Sequence, residues 1–116
     1  METIATFLSH HKYIDKVRNI NEILFTIREI DVISCLINGR SIKKIALFLS
    51  ISPKTVDVHI RNIMLKIECN SREKIIDFIE SSENHLAIKE LYRLILSLLQ
   101  ISQDIQGCIL SVSLLQ

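Results

Sequence analysis

The run from Ser50 to Ile67 constrains this chain more than any other stretch. Ser52 suits a helix N-cap and Pro53 the first helical position, since proline has no N–H to leave unpaired there and its φ already matches a helix. A helix is therefore expected over residues 53–67. Val56, Ile60, Ile63, Met64 and Ile67 recur at three- and four-residue spacing and make one apolar stripe, while Lys54, Asp57, Val58 and Arg61 gather on another face. One side packs and the other is offered outward. The offered side carries a forked cation at Arg61, a carboxylate at Asp57 and a small apolar group at Val58, each with a natural counterpart on a base edge in the major groove. That combination reads as a DNA recognition helix. The bland alternatives are a solvated arginine and an exposed valine, neither of which needs a special cause.

The segment just upstream supplies the other half of such a unit. Ser41 can cap a short helix carrying Ile42, Lys43, Lys44, Ile45, Ala46, Leu47, Phe48 and Leu49, which closes near Ser50. Ala46 is small in the middle of its inner face and lets the next helix cross closely. A short helix, a three-residue turn and then Pro53 is helix-turn-helix spacing. Lys43 and Lys44 stand where the supporting helix of such a pair crosses the DNA backbone, so phosphate contact competes there with an ordinary solvated face.

Before this pair, Thr26 reads as an N-cap with Glu29 three residues on, a capping box, and Phe25 as the partner of Ile30 in a hydrophobic staple. That helix should run to Asn38 and stop at Gly39, which suits the left-handed C′ position. Glu29 is assigned to the cap and not to catalysis. After Ile67, Ser71 caps a further helix from Arg72 to about Ser81, with Ile75, Ile76 and Ile79 facing inward. The polar run 81–84 is the expected linker. Beyond it Leu86, Ile88, Leu91, Ile95, Leu98 and Leu99 form an apolar helix expected to reach about Ser102, and the apolar tail 103–116 is left open between a docked strand, an exchanged segment and the cut end of a longer chain. At the other end, Ile4, Phe7, Leu8, His11, Ile14, Val17 and Leu24 predict an amphipathic helix over residues 3–24.

The fold class is therefore all-α, a tetrahelical helix-turn-helix bundle with an extra N-terminal helix and a C-terminal helix. With 116 residues, two glycines and one proline, the chain offers few breaks and no alternating strand pattern. Three units are expected: residues 1–24 as a packing or dimer element, 25–82 as the DNA-binding domain, and 83–116 as an interaction or truncated segment.

Charge sharpens the functional reading. The net charge is only +1, but residues 26–75 hold nine Lys or Arg against five acids, whereas the flanks hold five against eight. The positive field is thus concentrated around the expected recognition helix. Cys35, Cys69 and Cys108 show no metal-ligand spacing, so free thiols are expected and no metal or other cofactor. No signal peptide or membrane span is evident, and the expected location is the cytoplasm. Nothing resembles an enzyme, because no nucleophile, base and orienting acid converge and no glycine-rich phosphate loop occurs.

These residues also carry a family resemblance. Thr26, Arg28, Glu29, Val32 and Ile33, then Gly39, Lys43, Ile45 and Ala46, then Ile51 to Val56, His59, Asn62, Ile63, Lys66 and Ile67 resemble the LuxR-type (GerE) DNA-binding domain of bacterial transcription regulators over residues 25–79. The resemblance implies a four-helix domain that binds double-stranded DNA, usually as a homodimer; RNA polymerase is a further candidate partner, and no small-molecule ligand is evident. It places Asp57, Val58 and Arg61 at base-reading positions, and Lys54, Thr55, His59 and Lys66 at or near phosphates. Thr55 has support of its own, since a hydroxyl at a helix N-terminus can donate to an anion there. His59 has a rival role in satisfying a backbone carbonyl. Asp57 departs from the family's lysine and Lys44 from its glutamate. A carboxylate facing DNA is repelled unless it accepts from a cytosine amino group or holds a neighbouring arginine, and Arg61 lies four residues away on the same face. The alternative function is an interaction protein that dimerises, binds DNA poorly and titrates a partner regulator.

Overall fold

The computed structural model describes the backbone of residues 17–115 and the side chains of residues 17–100. A two-stranded hairpin, β1 (Asn19–Ile20) and β2 (Ile23–Leu24), leads into five helices among the described residues: α1 (Ile27–Ile37), α2 (Ile42–Leu49), α3 (Pro53–Ile67), α4 (Arg72–Glu80) and α5 (His85–Leu115). The architecture is all-α, as the sequence predicts.

Each of α1 to α4 starts on a hydroxyl that accepts from the backbone N–H three residues on: Thr26 from Glu29, Ser41 from Lys44, Ser52 from Thr55 and Ser71 from Lys74. Such a bond satisfies one of the donors orphaned at a helix start. In α1 the box is complete, because the Glu29 carboxylate accepts from the Thr26 backbone N–H at 2.8 Å. The C-terminus of α1 is equally local. Gly39 sits at φ +76°, its N–H donates to the Leu36 carbonyl at 3.0 Å, and the Arg40 N–H reaches the Cys35 carbonyl at 3.1 Å. Those two bonds make a Schellman turn. The same turn closes α2 with Ser50 at φ 56°, and α3 ends on Glu68 at φ 63° with the Glu68 and Cys69 N–H groups both directed to the Met64 carbonyl; at each a side chain is tolerated although glycine would suit better.

At the centre lies α1, every residue of which from Glu29 to Leu36 is buried. The remaining four helices pack around it, α5 across one side and α3 and α4 across another, while α2 packs mainly on α3. Val32, Ile33, Ile45, Val56, Ile63, Ile75, Ile79, Ile88 and Leu91 are among the fully enclosed side chains of the common core. Phe25 and Ile30 are both fully enclosed as well, in keeping with the staple.

Two elements differ from expectation. The helix expected over residues 3–24 does not extend through its C-terminal part: Asn21 (φ 50°) and Glu22 (φ 70°) form a two-residue turn that pairs Ile20 with Ile23. Two successive left-handed residues are what a tight right-twisted hairpin requires, and they cannot belong to a helix. Residues 1–16, which hold the rest of that expectation, lie outside the described residues. At the other end α5 does not stop near Ser102 but continues to Leu115, so residues 103–115 are helical and not a docked strand. No capping break interrupts it, since Gly107 lowers helix propensity without terminating the backbone pattern.

Candidate nucleic-acid interface

Every feature that orients α3 is on its inner side. Val56, Ile60 and Ile63 are buried, Met64 and Ile67 are half-buried against the core, and Ile51 packs just ahead of the cap. Near the C-terminal end, Lys66 crosses back to the start of α1. Its ammonium donates to the Glu29 carboxylate and to the Leu24 carbonyl at 3.2 Å, and lies 5.6 Å from the centre of the Phe25 ring. The helix is thereby fixed in rotation as well as position.

The electrostatics of that inner contact follow from burial. Glu29 is only 3% exposed. Burial would raise its carboxyl, but the hydrogen bonds from Lys66 and from the Thr26 backbone, together with the Lys66 charge, hold it below the ordinary carboxylate value. Glu29 therefore stays ionised, fastening α3 to α1 while also capping α1. Sequence reading found the cap and missed the fastening, because the two residues are 37 apart in the chain.

With the inner side locked, the outer face of α3 is uncovered. Val58 is 45% exposed, and the side chains of Arg61 and Asp57 are 72% and 43% exposed. These two are joined: Arg61 Nη2 donates to Asp57 Oδ2 at 2.9 Å. Lys54 and Thr55 are exposed in the first turn, the Thr55 hydroxyl 2.8 Å from that of Ser52, and His59 is half-buried beside the apolar stripe. Leu65, 76% exposed, extends the outer face toward the C-terminal end.

The other sequence-predicted positions fall elsewhere. Lys43 and Lys44 are exposed on the first turns of α2. Lys44 also rims an open cleft of about 470 Å³ between α2 and α5, lined by Arg40, Leu47, Phe48, Tyr92 and Leu96. Tyr92 ties these helices together: its ring stacks on Phe48 at 5.2 Å, and its hydroxyl accepts from Arg40 Nε at 2.6 Å. Lys66, assigned to phosphate on the resemblance, directs two of its donors to protein groups and is structural first.

Cys35 is a buried free thiol and Cys69 a half-buried one. Burial, helped by the nearby Asp31 charge, pushes the Cys35 thiol up to about 12, so it packs as an inert apolar group.

Comparisons with known proteins agree with this geometry. Residues 24–79 match the family described as bacterial regulatory proteins, luxR family. The chain is 49% identical over 49 residues to the nitrate/nitrite response regulator protein NarP of Escherichia coli (strain K12), a match covering 42% of this chain and 23% of that protein. Over the same length it is 43% identical to the transcriptional regulatory protein FixJ of Azorhizobium caulinodans, again covering 42% of this chain and 23% of the relative. The chain thus matches less than a quarter of the length of either relative. No solved structure matches it. The segment from Leu24 to Ile79, built on the α2–α3 pair, is a helix-turn-helix domain of the luxR family of bacterial regulatory proteins.

Proposed function

We propose that this chain is a sequence-specific DNA-binding transcription regulator that acts in the cytoplasm and inserts α3 into the major groove of double-stranded DNA. The observation that carries the reading is the contrast between the two sides of α3. Its inner side is locked by Val56, Ile60, Ile63 and Lys66, while Val58 and Arg61 project uncovered from a rigid support. A site on a fixed helix holds its groups within the tolerance that base reading needs.

In this reading Arg61 addresses a guanine edge, Val58 meets a thymine methyl, and Asp57 lies between them on the same face. Lys54 and Thr55 meet a phosphate at the N-terminus of α3, where the positive end of the helix dipole favours an anion. Lys43 and Lys44 follow the backbone from α2, and His59 completes the phosphate contacts. The names of both relatives mark them as regulators, which supports the same role here. A second copy of the chain is the expected partner, since two copies on inverted half-sites double the contact and set its spacing.

A rival reading draws on one observation, the engagement of Arg61 with Asp57. If the Asp57 carboxylate keeps this face from DNA, the chain is a dimerising protein that titrates a partner regulator. Binding to a duplex selected from a random pool, measured across salt concentration, separates the two. A DNA binder gives a steep negative slope of log affinity on log salt, about −0.9 for each phosphate neutralised. A flat slope with no selected sequence would remove the proposed function.

A further inference from the structure

We propose that Asp57 is a positioning residue for Arg61, holding its guanidinium so that the remaining edge reads guanine, and that it lowers affinity for DNA at large while raising discrimination. This inference rests on the reading of α3 as the base-contacting helix.

The geometry supplies the parts. Asp57 precedes Arg61 by four residues, the order in which an acid and a base on one helix pair best. The bond spans 2.9 Å, and among the described residues it is the only hydrogen bond Arg61 makes. With 72% of its side chain exposed, Arg61 has no packed wall to fix its rotamer. Asp57 is therefore what orients it. A guanidinium carries five N–H donors, and Nη2 spends one of them on Asp57, so an edge with two parallel donors stays available for the O6 and N7 acceptors of a guanine.

The same carboxylate opposes binding to phosphate. On the outer face Lys54 and Arg61 bring two positive charges and Asp57 cancels one of them. Non-specific affinity depends on such charges and specific affinity depends on them less, so an acid here trades general attraction for selectivity. A lysine at this position would do the reverse. It would add a phosphate-seeking charge and repel the neighbouring guanidinium.

The test uses the full chain with Asp57→Asn, Asp57→Glu, Arg61→Ala and the Asp57→Asn/Arg61→Ala double variant. Each is measured for affinity to random duplex and for base preference by selection from a random pool, after melts confirm an unchanged fold. Asp57→Asn is expected to bind random duplex several-fold more tightly and to lose about three- to tenfold of the preference for guanine at the Arg61 position. Asp57→Glu, which can still reach Arg61, should retain that preference. In the Arg61→Ala background the preference effect of Asp57→Asn should vanish. Two outcomes overturn the proposal while leaving α3 as the reading helix: a uniform rise in affinity with preference intact, or loss of preference at a different base that persists without Arg61, which would make Asp57 a reader itself. If Arg61→Ala leaves every preference intact, the base-reading function fails and the positioning role with it.

Discussion

The inner end of α3 and its outer face each carry a carboxylate paired with a cation, and the two pairs are put to opposite uses by burial alone. At the inner end Lys66 meets a Glu29 that is 3% exposed, close to the enclosed ring of Phe25. On the outer face Arg61 meets Asp57 with 72% and 43% of their side chains in solvent. A charge taken out of water must keep its partner, so the first pair is a structural obligation. In water a pair contributes little to the fold, so the second is left available for the proposed reading of DNA. The chemistry is nearly the same. What differs is the cost of letting go.

The sharpest way to break this comparison is to remove Lys66. Lys66→Met keeps an unbranched apolar side chain and strands the Glu29 carboxylate, and is expected to destabilise the fold by about 2–3 kcal/mol in urea denaturation. The cost stays below that of a fully enclosed pair because a third of the Lys66 side chain is exposed. A pH series adds the sign. Because the Glu29 carboxyl is held below its unfolded value, its contribution is full above the ordinary carboxylate range and is lost as pH falls through the folded value. The wild-type chain should therefore lose more stability than Lys66→Met between about pH 5 and pH 3. Equal acid sensitivity in the two would mean that Lys66 does not hold Glu29.

On the outer face the expected losses move from folding to recognition. Arg61→Ala should leave the free energy of unfolding in urea within about 0.5 kcal/mol of wild type, since the site is exposed. The same change should cost about 1–3 kcal/mol of discrimination at one base position in a selection from random duplex. Lys54→Ala should act more gently and without sequence preference, weakening all duplexes alike and reducing the salt slope by about one. A Lys54→Ala variant that shifted base preference would merge two roles that the reading of α3 keeps apart.

The same contrast explains what could be read from the amino-acid sequence and what could not. The starts of α1 to α4 were legible because each rests on one hydroxyl and the N–H three residues beyond it, as at Ser41, Ser52 and Ser71. The outer face of α3 was legible for a related reason: helical periodicity assigns Lys54, Val58 and Arg61 a side as soon as Val56 and Ile60 take the other. The hairpin at 19–24 escaped because its turn is Asn21-Glu22 and carries no glycine to announce it. Contacts made only in three dimensions escaped too. Nothing near Lys66 in the chain points to Glu29, and nothing near Tyr92 points to the Arg40 side chain that donates to its hydroxyl. Local chemistry sets where helices begin and which way they face, whereas the fastening between them depends on pairings that no window of sequence contains.

The smallest expected effect is also the most direct measure of what burial does to an ion pair. A double-mutant cycle on folding stability, Asp57→Ala against Arg61→Ala, should return a coupling of about 0.3–0.5 kcal/mol, as exposed pairs four apart on a helix do. That coupling should fall further in high salt, because both groups lie within reach of counterions. The matching cycle with Glu29→Gln and Lys66→Met should return a coupling several times larger and only weakly dependent on salt, since one partner is enclosed. If the outer pair proved as strongly coupled as the inner one, exposure would not be what sets the strength of an ion pair on α3, and the comparison between its two sides would fail.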